Sequence, residues 1–291
     1  MTGKPLATTT AWVIDVDGCL MRTARAGGAG GEPFPMAAEL LSALKAAGQR
    51  ILVCTNASQR TPAQYASHLR SVGLEISDDQ VVTAGSAAAD YIAAHHPTSR
   101  VLAIGAEGLV DPLRARGLAV VTTADGGPAG VVVVGAADEY LASDINAGCI
   151  AVESGASLYT TVDTPWFHGG IQKSVAVSAA IAHAIGWTTG VTPQVLGKPS
   201  PALAETLLRR LDSQPQTIAV VGDATVEIEL ARLMGAQSVL VLSGATSAAQ
   251  FDALVGRSRP DLAVADVSEL FRILFGAFPP IHSPYDKGVT A

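Results

Sequence analysis

The chain is poor in the features that mark several protein classes. It has only three cysteines in 291 residues, Cys19, Cys54 and Cys149. They are an odd number, lack metal-ligand spacing and each lies in an apolar stretch, so they read as reduced core thiols rather than as a disulfide or zinc framework. Cys19 lies close enough to Asp15 and Asp17 to be expected as a target of oxidation. Basic residues are scarce: 19 Lys and Arg against 26 Asp and Glu give a net charge of −7, which argues against nucleic acid and against an anionic membrane surface. No uninterrupted apolar run of about 18 residues occurs, and no basic-then-apolar leader opens the sequence. The expectation is therefore a soluble, cytoplasmic protein that contacts neither nucleic acid nor membrane. There is no internal repeat. The one low-complexity patch, Gly27–Gly31, lacks the Gly-Lys-Ser/Thr of a phosphate loop and reads as a flexible loop.

What the chain does have is apolar residues, 48 % of the total, many of them alanine, in a length that suits one large domain or two moderate ones. They fall into alternating strand and helix patterns. Strands are expected at 11–16, 50–54, 101–104, 119–122, 130–134, 157–161, 217–221 and 238–241, with shorter extended pieces at 81–82, 194–196 and 263–265. Helices are expected at 36–47, 62–72, 86–95, 109–116, 141–153, 171–185, 201–211, 226–234 and 267–274. Such alternation predicts an α/β fold with a mainly parallel sheet and helices on both faces.

Four strand ends carry polar residues. Val13–Met21 reads VIDVDGCLM, which sets Asp15 and Asp17 at the C-terminal end of a buried strand, where open α/β sheets build ligand sites. Two like charges there need compensation, and a divalent cation supplies it; a plain Asp-Gly surface turn is the other reading. A calcium loop is excluded, because Cys19 and Ala26 stand at ligand positions. The strand 51–54 runs into Thr55 and Asn56, whose amides and hydroxyl can hold a phosphoryl group, or which simply cap a helix. Lys198 lies between Gly197 and Pro199 before a helix, either a fixed cation or a solvated one. Strand 219–221 ends in Gly222–Asp223, with Glu227 four residues on; the pair suits a hard cation, and Asp223 alone suits a helix cap.

The ordered set strand-DxDG, strand-TN, GK-P before a helix and strand-GD-x-x-x-E resembles the four motifs of the haloacid dehalogenase superfamily. The residues between the second and third motifs are similar to the large α/β cap of the branch that holds para-nitrophenyl, phosphoglycolate and pyridoxal phosphatases; VVVGAADEYLASDINAGCIAVESGASLYTT, LGKPSPAL and VLVLSGAT carry that likeness. The resemblance implies a Rossmann-like core at 1–83 and 191–291 with an inserted α/β cap at 84–190. It implies a Mg²⁺-dependent phosphatase of a small phosphorylated metabolite, such as a sugar, polyol or glycolate ester. Asp15 would be the nucleophile that becomes an aspartyl-phosphate, and Asp17 the acid and base. Thr55, Asn56 and Lys198 would bind the phosphoryl oxygens. Asp15, the Asp17 carbonyl and Asp223 would hold Mg²⁺, with Glu227 reaching it through water, although Glu227 stands where this branch usually has aspartate. A phosphomutase, or a non-catalytic regulatory protein on the same fold, are the alternatives. Cap residues Asp163, Trp166 and His168 are the candidates for leaving-group recognition, with cap–core packing as the competing reading. The long 21–35 loop is expected to flap over the site, His95 and His96 to be solvated, and a homodimer through the cap is the expected assembly.

Overall fold

The computed structural model describes residues 6–23, 30–121, 128–169 and 172–276. The first sheet uses β1 (Ala11–Ile14), β4 (Arg50–Thr55), β5 (Val81–Thr83), β13 (Ile218–Gly222), β14 (Gln237–Val241) and β15 (Leu262–Val264). Its order is β15-β14-β13-β1-β4-β5, and every pairing is parallel. A small antiparallel ribbon, β2 (Met21–Arg22) with β3 (Glu32–Pro33), follows β1.

Why these strands read as continuous apolar runs is seen in β1. Trp12 and Ile14 enter one core with Leu40, Leu41 and Leu44 of α1 (Ala37–Ala46) and Leu270 of α10 (Val267–Phe275). Ala11 and Val13 enter the opposite core with Leu203 and Leu207 of α7 (Pro201–Leu211) and Leu230 of α8 (Thr225–Met234). A strand covered by helices on both faces has no polar side, and the period of two sorts its residues between the layers. α2 (Pro62–Ser71) is set by a capping box of Thr61 with Gln64, and α7 by Ser200, whose hydroxyl accepts the Leu203 amide at 3.0 Å.

The chain leaves the first sheet after Thr83 through α3 (Ala84–His95). A second, five-stranded parallel sheet follows, in the order β12-β9-β8-β6-β7. Its strands are β6 (Arg100–Ile104), β7 (Ala119–Val121), β8 (Val131–Val134), β9 (Ser157–Thr160) and β12 (Gln194–Val195), with α4 (Glu107–Ala115), α5 (Ala142–Glu153) and α6 (Val177–Thr189) between them. The 194–195 strand pairs with β9, so this sheet closes only after Val195, whereas the sequence places the return at 191. A short helix, α9 (Ala248–Asp252), precedes β15.

The ribbon β2–β3 and helix α9 were not expected from sequence, and one expected helix is partly replaced. The helix expected over 171–185 begins only at Val177; before it, β10 (Trp166–Gly169) and β11 (Gln172–Val175) form an antiparallel hairpin. In sequence a Gly-Gly pair signals a hairpin, but the strong helical pattern of the alanine-rich stretch that follows outweighs it. His95 is exposed, as expected, with a contact to Glu205 at 3.2 Å, and His96 is half-buried, with the Tyr159 hydroxyl at 2.7 Å. No helix among the described residues is long and apolar enough to cross a membrane.

Candidate active site

β1 lies between β13 and β4, so the three strand tips are neighbours. The chain therefore presents Asp15, Thr55 and Asp223 side by side at the C-terminal edge of a parallel sheet. The Asp15 amide still donates to Val221 O at 2.9 Å, which keeps the loop tied to the sheet for one residue beyond β1. Gly18 then turns the chain with φ 78°, and no larger residue fits: a Cβ there would lie 2.1 Å from Asp223 Oδ2. Gly244 closes on the same carboxylate, its Cβ position 2.0 Å from Oδ2. Asp223 is thus seated between two glycines, and its Oδ2 accepts the Ala245 amide at 2.6 Å.

Lys198 reaches into this cluster from the loop before α7. Its ammonium is buried, ion-paired with Asp15, 2.8 Å from Glu227 Oε1 and 3.1 Å from the Cys54 carbonyl. Burial alone lowers an ammonium's pKa, but the Asp15 and Glu227 carboxylates outweigh it and hold Lys198 well above the ordinary lysine value. The loop is clamped by Asn56, whose side-chain amide donates to Lys198 O at 2.9 Å and accepts the Lys198 N–H at 2.7 Å. Glu227 has both oxygens engaged: Oε1 by Lys198, and Oε2 by the Ala224 amide at 3.1 Å. Glu227 is therefore a partner of Lys198, a contact that the i, i+4 spacing from Asp223 does not reveal.

Asp17 accepts from the Thr23 hydroxyl at 2.6 Å, so the β2–β3 ribbon reaches back onto the second aspartate. The part of the expected flap at 24–29, with Gly27–Ala29 of the glycine patch, lies outside the described residues. Thr55 is buried, its hydroxyl accepting the Ala57 amide at 3.2 Å. Cys19 is fully buried, and burial together with the nearby Asp15 carboxylate pushes its thiol well above the usual value. With so little thiolate and no access, it is not the oxidation target expected from sequence.

A cavity of about 240 Å³ joins the strand tips to the second sheet. Asp15, Asp17, Lys198 and Asp223 line it from one side, and Asp163, Trp166 and Phe167 also line it. Asp163 bonds His183 of α6 at 2.7 Å. Trp166 is 41 % exposed. The His168 backbone pairs with Lys173 in the hairpin, and its side chain lies outside the described residues. Sequence reasoning missed Ser58. This buried hydroxyl accepts the Ala136 amide at 2.8 Å and contacts Thr161 Oγ1 at 3.2 Å, joining the end of β4 to two loops of the second sheet. Its only signal was a polar residue three positions past a strand.

The donors are of a kind that suits a hard divalent cation. Burial, with Glu227 and Asp223 nearby, pushes Asp15 well above the ordinary carboxyl value despite Lys198. Burial and Glu227 raise Asp223 to about 7. One ammonium leaves this acidic cluster under-compensated, and oxygen-rich acidic pockets are where Mg²⁺ binds. Among the described residues, no three such side chains are already gathered in ligand geometry.

The family model described as haloacid dehalogenase-like hydrolase matches residues 12–119, from β1 through α4, and a second model of HAD-like hydrolases matches 195–270. The chain belongs to the haloacid dehalogenase-like hydrolases. An acid sugar phosphatase of Staphylococcus saprophyticus is 30 % identical over 216 residues, which span 73 % of this chain and 78 % of that protein. A 5'-nucleotidase of Bacillus subtilis is 29 % identical over 81 % of this chain and 88 % of its own length. Among solved haloacid dehalogenase-like structures, a p-nitrophenyl phosphatase from Archaeoglobus fulgidus superposes with a TM-score of 0.79 at 28 % identity, covering 90 % of this chain and 98 % of that one. A glycerol phosphate phosphatase from Mycobacterium tuberculosis, solved with magnesium, gives 0.79 at 27 % identity over 93 % and 78 %.

Proposed function

We propose that this hydrolase is a Mg²⁺-dependent phosphatase of small phosphate monoesters that works through an aspartyl-phosphate. The observation that carries the reading is a buried carboxylate at the tip of a central strand, Asp15, paired with a buried ammonium in a cavity that a second carboxylate, Asp17, also lines. Relatives with phosphatase names support it.

In this reading Asp15 attacks phosphorus, the bond to the leaving oxygen breaks, and Asp17 delivers its proton to that oxygen. Asp17 then takes a proton from water, whose oxygen attacks the phosphorus, and Asp15 leaves as a free carboxylate. Lys198, Thr55 and the Asn56 backbone receive the phosphoryl oxygens, where electrostatic stabilisation supplies most of the acceleration. Thr23 orients Asp17. Asp15, Asp223 and the Asp17 carbonyl would hold the cation, with Glu227 holding Lys198 in place. Bound there, Mg²⁺ supplies positive charge that offsets the carboxylates and the phosphoryl oxygens. We also read the segment inserted after residue 83 as a cap on the core, with its boundary moved from the expected 190 to 195 so that it includes β12. The cap supplies the leaving-group side of the cavity.

Phosphate release from p-nitrophenyl phosphate and a panel of sugar and polyol phosphates tests this directly. Release should require Mg²⁺, stop with chelator, and fall by at least about a thousandfold in Asp15→Asn. Turnover that survives that substitution rules out the covalent route.

A further inference from the structure

One charged group of the cavity has no part in the proposed phosphoryl chemistry. Among the described residues that line it, five are acidic and one is basic: Asp15, Asp17, Asp163, Asp223 and Glu227 against Lys198. Lys198 is already committed to Asp15 and Glu227. Asp15, Asp17 and Asp223 sit at the strand tips of the first sheet, and Glu227 stands in the first turn of α8 beside them. Asp163 does not; it stands on the loop after β9, 48 % exposed, with its Oδ1 fixed by His183 Nε2 at 2.7 Å. That bond holds the carboxylate in one orientation at the leaving-group end.

The rest of that end is uncharged. Val162, Trp166 and Phe167 give it apolar surface, and Thr164, Ser178 and Gln59 give it hydroxyl and amide groups. A leaving group there meets aromatic faces, hydrogen-bonding partners and one negative charge. No described arginine or second lysine lines the cavity to pair with an additional anion on the substrate. Like charges in a partly desolvated site repel by an amount that matters for discrimination, and specificity is often set by what a site rejects.

We infer that Asp163, oriented by His183, is a specificity-determining residue that selects phosphate monoesters with an uncharged, hydroxylated leaving group and rejects those carrying a second anionic group. The inference narrows the phosphatase reading and rests on it for the phosphate-binding end. The small cavity limits the leaving group further, since drug-sized sites run from about 300 Å³ upward.

Binding distinguishes this from the catalytic reading. Glycerol phosphate and phosphoglycerate share a skeleton apart from a terminal carboxylate, and their affinities for the full chain carrying Asp15→Asn, in Mg²⁺, can be read by calorimetry. Glycerol phosphate should bind about tenfold more tightly. Adding Asp163→Asn should bring the two within about twofold by improving phosphoglycerate alone, and Asp163→Lys should reverse the order. Equal affinities in the parent, a ratio unmoved by Asp163→Asn, or no binding of either compound overturns the inference. If the tenfold ratio holds but the wild-type chain releases phosphate from neither compound nor from p-nitrophenyl phosphate, the phosphatase reading fails while the charge selection stands.

Discussion

Lys198 shows how one side chain can carry a site. Its three N–H donors meet three acceptors, on Asp15, Glu227 and the Cys54 carbonyl, so the buried cation is fully satisfied before any phosphate arrives. In the proposed mechanism an incoming phosphoryl group would have to draw the ammonium away from Asp15, and Glu227, also paired with it, would keep hold of it during that exchange. Glu227→Gln should therefore leave substrate binding close to normal yet lower kcat by about tenfold, because a hydrogen bond to a neutral amide replaces one to a charge. Parallel KM and kcat measurements check this, and a rise in KM alone would instead make Glu227 part of ground-state binding. The contact was not legible in sequence. Glu227 stood at the spacing of a metal-binding acid, and only the packing of α8 against the sheet reveals that it faces a lysine twenty-nine positions earlier.

At the scale of elements, the four strand-end motifs were legible because each depends on local signals: an apolar run, a breaker and a polar residue where the strand stops. The β10–β11 hairpin was not, because two four-residue strands compete poorly with a long helical pattern beside them. Ser58 escaped for a related reason, since its partners Ala136 and Thr161 are tertiary neighbours brought in by the second sheet. Its role is mechanical: it fixes the loop bearing Thr161, and hence Asp163, against the end of β4. Ser58→Ala should cost about 1–2 kcal/mol of stability, because the buried Ala136 amide loses its acceptor. It should also raise KM more than it lowers kcat. Thermal denaturation and steady-state kinetics together check this; a change in kcat alone would point to a direct effect on the phosphoryl site.

Across the whole molecule, the acidic cluster couples stability to pH in an unusual direction. Asp15 and Asp223 have carboxyl pKa values raised by burial and by neighbouring carboxylates, Asp223 to about 7. The folded chain therefore binds these protons more tightly than the unfolded one. Their contribution to stability is complete below about pH 4, where both states are protonated, and is lost as pH rises toward and through about 7. A cation bound in the cluster would offset that loss. Melting the protein with chelator and with excess Mg²⁺ should give a difference in Tm near zero at about pH 4.5 that grows to several degrees at about pH 8, and Asp223→Asn should flatten it. A Mg²⁺ effect equal at both pH values would mean that the cation binds elsewhere.

The central place of β1 has a consequence for biosynthesis. Asp15 is made about two hundred residues before Ile218, where β13, which covers one edge of β1 and leads into Asp223, begins. Until a ribosome has passed Gly222, β1 has a partner on one side only and an apolar strand edge stands open to any other chain. The cap, whose second sheet is complete at Val195, is finished earlier. The second sheet is thus complete before the first, and until then Asp15 is covered neither by its neighbour strand β13 nor, before residue 198 is made, by its lysine.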